Sequence, residues 1–441
     1  MNTSPSRRRA PLLLAIGLCC VPWFAQAEAP SRPGLDAPEL ALLGSHPVGV
    51  RTLTLVHRDQ LDLIAADPAT GTVPRKDRSL QITVWYPAQA AIAGATPASY
   101  EDAMEAEPPA PPTRFRIEGI AYTDAKPAPG SYPLVLVAHG YGNVPAGMSW
   151  LTENLASKGY VVAAIRHGDN YFNPAGPPQA MLRRPLDLGF VARELQGTAG
   201  KPFGIDAARI ALIGYSMGGY GVLVAGGGTL DPAGPLAKLL PGPVLGAYAR
   251  GGESAEAMRA PNVRAVVAFA PAGGTLGAWG SAGLADITAP LMLVAGDRDL
   301  TVPYETNARS FFDQATRSNR YLLTFRGGGH ALGLGAAPPE MRKSLWDQDW
   351  FEDPVWRKDR LIGISLHFVT AFLDRYVKDD ASRSAFLDGL VEDSGKGTWN
   401  APQGTPWAAY SPGGDGVTLW KGFQRRHAEG LTLQHATPPA P

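Results

Sequence analysis

The pattern of apolar and polar positions changes character along the chain. Over residues 48–56 and again over 80–86, apolar and polar side chains alternate with a period of two, as in strands with one buried face. From Pro133 onward the alternation gives way to short, wholly apolar runs separated by stretches of helical spacing. The spacing predicts strands at 133–138, 160–165, 209–213, 263–269, 290–295 and 320–325, and helices at 146–158, 182–198, 217–225, 304–316 and about 360–378. Apolar runs buried on both faces, alternating with helices, imply an α/β fold with a doubly wound, mostly parallel sheet. The two amphipathic runs supply its antiparallel N-terminal edge.

Four segments interrupt this order. Residues 28–47 and 88–130 are rich in Pro and Ala and read as a lead-in linker and a long surface excursion. Residues 227–262, rich in Gly and Pro, form either a small cap or a plain surface loop. The extension 381–441 lacks helical period, carries strand-like runs at 417–420 and 431–433, and is expected to pack on the domain. One domain, 48–380, with two insertions is the economical division.

The chemistry enters at Gly214-Tyr215-Ser216-Met217-Gly218, directly after an apolar strand and at the start of a helix. Gly-x-Ser-x-Gly in a strand–turn–helix context is a nucleophile elbow, which holds a serine hydroxyl out of the sheet toward a base. Downstream, Asp297 and Asp299 lie at one strand end and His330 follows Gly327, Gly328 and Gly329 at the next. The order Ser216, Asp299, His330 is that of α/β-hydrolases. Asp299, with Pro303 four residues on, is the preferred acid, and Asp297 then reads as a turn residue accepting backbone N–H groups. Upstream, the loop His139-Gly140-Tyr141-Gly142 ends a buried strand. Its Tyr141 N–H and the Met217 N–H are the expected donors to an oxyanion. His139 reads as a loop organiser rather than a base.

The 441 residues are 45% hydrophobic and 18% charged, ordinary for a globular chain. Arg7, Arg8 and Arg9 precede an apolar stretch from Pro11 to Phe24 that closes with Ala25-Gln26-Ala27. This is the pattern of a secretory signal peptide cleaved after Ala27, exported by the Sec or twin-arginine route to periplasm or medium. The apolar run is short for a membrane span, so no anchor is expected after cleavage. Cleavage takes three arginines from 40 basic residues and none of the 40 acidic ones, a net charge near −3. With no basic patch, nucleic acid is excluded as a partner. Both cysteines, Cys19 and Cys20, lie in the signal, which excludes disulfides, thiolate metal sites and a cysteine nucleophile from the mature chain. No cofactor or metal is expected, and no signal specifies an oligomeric state.

Several of these pieces, with Trp85-Tyr86-Pro87, Arg184-Pro185-Leu186-Asp187 and Gly327-Gly328-Gly329-His330-Ala331-Leu332, resemble exported bacterial proteins grouped with platelet-activating-factor acetylhydrolase and predicted dienelactone hydrolases. Gly140-Tyr141 and the elbow also resemble polyester-degrading cutinases. The resemblance implies a cofactor-independent serine esterase with Ser216, Asp299 and His330 as triad and a small or polymeric ester as substrate, short acyl esters being favoured. A peptide or amide hydrolase and a non-catalytic binding protein on the same scaffold are the alternatives. Trp346, Trp350, Phe351 and Trp356 are either aromatic walls of the site or glue for the C-terminal segment, the second being favoured. Asn170, Tyr171 and Phe172 occupy the sheet edge where ligands sit in open α/β folds.

Overall fold

The computed structural model describes residues 1, 37–67, 69–89, 95–169, 176–241, 244–400, 402, 404–406 and 416–439. The expected signal segment and residues 170–172 lie outside them.

Among the described residues, twelve strands and seven α-helices form in the order β1 (Val48–Leu61), β2 (Arg75–Pro87), β3 (Ser99–Met104), β4 (Thr113–Glu118), β5 (Tyr122–Thr123), β6 (Tyr132–Ala138), α1 (Ser149–Ser157), β7 (Val161–Arg166), α2 (Gly176–Gln196), β8 (Ile205–Tyr215), α3 (Met217–Ala225), α4 (Val244–Tyr248), β9 (Val263–Phe269), β10 (Leu291–Gly296), α5 (Ser310–Gln314), β11 (Arg320–Phe325), α6 (Leu345–Asp349), α7 (Lys358–Tyr376) and β12 (Leu431–Ala436). Ten strands make one sheet in the order β12-β11-β10-β9-β8-β6-β7-β2-β1-β5. From β7 to β11 all neighbours are parallel, while β2 runs antiparallel to β7 and β12 antiparallel to β11. This is the α/β-hydrolase fold.

The apolar runs explain the layering. Along β6, Val135 and Val137 face α1 and α7, while Leu134, Leu136 and Ala138 face α2 and α3, all fully buried. The parallel strands β6 to β11 bury both faces over most of their length, so the period of two is hidden beneath continuous hydrophobicity. The chain passes from β6 to β7 on one side and returns to β8 on the other. The carboxyl ends of β6 and β8 therefore flank a topological switch point, where open α/β sheets leave a crevice.

Three segments differ from expectation. Within 88–130, β3 and β4 pair as a separate antiparallel hairpin, and β5 adds to the sheet beside β1. Their burial comes from distant chain, which local composition does not reveal. Phe115 meets Phe351 edge-on at 5.9 Å, and Thr113 Oγ1 donates to Asp347 Oδ2 at 2.9 Å. The expected helix 304–316 begins as a π-turn over 305–309, where the Asn307 amide donates to Pro303 O and its carbonyl accepts the Gly274 N–H. The run 417–420 makes only an isolated bridge between Val417 and Trp399. Among the described residues no helix is long and apolar enough to cross a membrane.

Strand β12 covers the β11 edge with Leu431 fully buried. Leu431→Ala is expected to cost about 2–4 kcal/mol, read as a lowered urea midpoint at constant m-value. A loss below about 1 kcal/mol would show that this strand lies outside the cooperative unit.

Candidate active site

Ser216 closes the turn between β8 and α3 with φ 55° and ψ −116°, a backbone region that a non-glycine residue occupies only under restraint. The restraint is visible: Ser216 N–H donates to Phe269 O at 2.9 Å, and its carbonyl accepts the Ala272 N–H at 3.1 Å. The flanking glycines are demanded by close approach. A Cβ on Gly214 would lie 2.1 Å from Gly218 O, and one on Gly218 would lie 2.0 Å from Ala138 O at the end of β6. The elbow is thus wedged between α3 and the neighbouring strand.

The ends of β10 and β11 bring two further groups to this turn. His330 Nε2 lies 3.0 Å from Ser216 Oγ, and His330 Nδ1 lies 2.6 Å from Asp299 Oδ2. Asp299 is buried, and its Oδ1 accepts the Thr301 and Val302 N–H groups at 2.9 and 2.7 Å. These bonds fix the carboxylate and leave Oδ2 for the imidazole. With the carboxylate accepting from Nδ1–H, Nε2 is left as an acceptor facing the hydroxyl. Asp297 points elsewhere, accepting the Gly327 N–H at 2.6 Å and so tying the loop before His330 to the end of β10. It does accept a backbone N–H, but from a loop 30 residues away rather than from its own turn.

Other residues hold His330 in place, and the sequence reading missed them. Tyr215 OH donates to His330 O at 3.0 Å, Asp353 Oδ2 accepts the Gly329 N–H at 2.6 Å, and Lys358 Nζ donates to Ala331 O at 2.5 Å. Burial pulls the Lys358 ammonium down to about 8, against the opposing charges of Glu352 and Asp353. Burial, and then the Asp299 charge, push the Tyr215 phenol up, so it remains a donor. A lysine 28 positions after the histidine offers no local signal of this role.

The loop after β6 rests on a buried polar frame. Wholly buried Arg184 spans the carbonyls of His139 and Gly140 and the carboxylate of Asp169, with 3.0 Å to Gly140 O and 2.7 and 2.8 Å to Asp169. Burial would raise the Asp169 carboxyl, yet the Arg184 guanidinium holds it below its usual range. Burial and the same guanidinium keep His139 well below its usual value and therefore neutral. Its Nδ1–H donates to Gly140 O at 2.7 Å, which supports the loop-organiser reading. Beside it, Asp187 binds His167 Nδ1 at 2.8 Å and Arg78 at 2.9 and 3.0 Å. Arg184 and Asp187 stand three positions apart on α2, hence on one helix face. Tyr141 follows this frame, and Met217 is the first residue of α3, where helix geometry leaves an N–H without an intrahelical partner.

Trp356 is buried, its Nε1–H donating to Arg326 O, and Trp420 is buried with its Nε1–H on Val391 O. Both act as glue. In 227–262, Leu236, Leu245 and Met258 pack into the core on the α2 and α3 side. A hollow of about 490 Å³ lies at the β3–β4 hairpin, lined by Arg51, Trp85, Tyr100 and Arg166, and shares no lining residue with the Ser216 cluster. Among the described residues no group of three or more His, Asp or Glu is placed to hold a metal ion.

A family described as PET hydrolase-like matches residues 118–238, a stretch that holds Tyr141, Ser216 and Met217 but neither Asp299 nor His330. Cutinase 1 of Thermobifida cellulosilytica is 24% identical over 202 residues, 45% of this chain and 61% of its own. A bis(hydroxyethyl) terephthalate hydrolase of Streptomyces coelicolor is 30% identical over 107 residues, 24% of this chain and 32% of its own. The chain spans about half to three fifths of the length of the cutinases it matches. A ferulic acid esterase structure from Streptomyces cinnamoneus superposes with a TM-score of 0.49 at 22% identity, covering 78% of this chain and 94% of that one. The matching family and the curated relatives fall on the cutinase side of the resemblance in the sequence.

The two aspartates make different predictions. Asp299→Asn should lower kcat by about 10⁴-fold through a misoriented imidazole, while Asp297→Asn should cost far less. Reversed effects on ester turnover would transfer the acid's role to Asp297.

Proposed function

We propose that the protein is a carboxylic ester hydrolase working through an acyl-enzyme on Ser216. The observation that carries this reading is the hydrogen-bonded chain Ser216 Oγ, His330 Nε2, His330 Nδ1, Asp299 Oδ2, with contacts of 3.0 and 2.6 Å. In the proposed reaction His330 takes the Ser216 proton as Oγ attacks the ester carbonyl. Asp299 stabilises the imidazolium, and the N–H groups of Tyr141 and Met217 receive the negative oxygen. The imidazolium then protonates the departing alkoxide. Water, deprotonated by His330, releases the acid and restores the serine. The cutinases and the terephthalate ester hydrolase among the relatives support an ester, including aryl and polymeric ones, over an amide. We also read the N-terminal segment as an export signal, which would place the enzyme in periplasm or medium.

Binding energy on this reading comes from apolar contact, each buried methylene contributing about 0.8 kcal/mol. In the insertion 227–262, Leu236, Leu245 and Met258 pack into the core rather than being offered to a long acyl chain, and Leu239 is the exposed large apolar residue. A p-nitrophenyl ester series, run beside bis(hydroxyethyl) terephthalate and an amide panel, should show kcat/KM highest at about C2–C6 and amide turnover far lower. A steady rise to long acyl chains would point to a deep tunnel and remove the short-ester assignment. Amide cleavage at rates matching ester cleavage would overturn the ester reading itself.

A further inference from the structure

The frame beneath the loop after β6 goes beyond support. The carbonyl of Gly140 and the N–H of Tyr141 belong to one peptide unit, which is planar and trans, so the two groups point in opposite directions. Gly140 O is held by two donors, the Arg184 guanidinium at 3.0 Å and the neutral His139 Nδ1–H at 2.7 Å. Arg184 also takes the preceding carbonyl, His139 O, so two consecutive peptide planes are fixed by one rigid fork. The fork in turn is held at Nε and Nη2 by both oxygens of Asp169, whose own backbone carbonyl accepts the Gly142 N–H at 3.3 Å. The plane carrying the Tyr141 N–H is therefore gripped at its carbonyl, and the residue after it is gripped at its N–H.

We propose that Arg184 is the positioning residue of the oxyanion site: by binding the Gly140 carbonyl it sets the direction of the Tyr141 N–H and, through the polarised peptide, strengthens it as a donor. The inference rests on the reading of Tyr141 as an oxyanion donor. Lysine is no substitute here, because a point ammonium cannot span two carbonyls and a carboxylate in one plane. The placement is economical in sequence. Arg184 sits one position before Pro185 in α2, and its Cβ lies against Gly221 of α3, so the fork is seated between the helix that follows β7 and the helix that follows Ser216.

The test compares an oxygen ester with its thionoester, in which sulfur stands where the negative oxygen would develop. Sulfur is a weak acceptor, so a well-aimed N–H favours the oxygen ester, and the ratio of the two kcat values reports the aim of the donors. Arg184→Met should lower kcat for the oxygen ester by about 10- to 100-fold, part of what complete loss of one oxyanion donor costs. The thionoester rate and the KM values should move little, so the ratio narrows by about the same factor. Arg184→Lys should recover only a fraction of it. Where Arg184→Met does not fold, judged by near-ultraviolet circular dichroism, Asp169→Asn carries the same comparison, since it keeps the guanidinium and removes its anchor. Folded variants that slow both esters alike, or that keep the wild-type ratio, would overturn the proposal. A wild-type protein that turns over neither ester would fail earlier, at the ester-hydrolase reading, and take this inference with it.

Discussion

The site depends on how closely α3 approaches the end of β6. A Cβ at Gly218 would sit 2.0 Å from the Ala138 carbonyl and 2.6 Å from that of His139. Only glycine allows the first turn of α3 to rest on those two carbonyls, which seats the start of α3 against the beginning of the loop after β6. The cost is a Ser216 backbone at positive φ, of order 1–3 kcal/mol, balanced by its bonds to Phe269 and Ala272. Parallel strands buried on both faces provide the rigidity that such a strained turn needs. Their carboxyl ends then deliver Asp299 from β10 and His330 from β11 to the same edge.

Beneath the loop after β6 the buried charges are paired. Arg184 with Asp169 and Arg78 with Asp187 are ion pairs with further hydrogen bonds on their remaining donors, and Asp187 also accepts from the buried His167 Nδ1–H. Removing one partner of such a pair leaves an uncompensated charge, typically at about 3–5 kcal/mol, so these groups fix geometry rather than add stability cheaply. Each frame holds one loop: Arg184 and Asp169 underlie the loop after β6, while Tyr215, Asp353 and Lys358 hold the loop of His330. Ser216 lies between them.

Much of this was legible in the sequence wherever a local rule applied. Apolar runs marked β9 and β11 to the residue, and Gly-x-Ser-x-Gly marked both the elbow and α3. Proline spacing singled out Asp299, whose Oδ2 lies 2.6 Å from His330 Nδ1, while Asp297 accepts from the glycine loop. What stayed hidden was long-range. The β3–β4 hairpin looked like a surface excursion because its apolar partners, such as Phe351, lie more than two hundred residues away. The Arg184 frame was visible only as part of a short resemblance, because nothing in Arg184-Pro185-Leu186-Asp187 says that one side chain reaches two carbonyls of a loop forty-four residues upstream.

The central claim is that the geometry at Ser216 makes its hydroxyl an activated nucleophile. Covalent labelling of the purified protein by a fluorophosphonate, with the modified peptide identified by mass spectrometry, tests it directly. The account predicts stoichiometric modification at Ser216 and none in Ser216→Ala. Labelling that persists in Ser216→Ala, or a wild-type protein that takes no label, would contradict it.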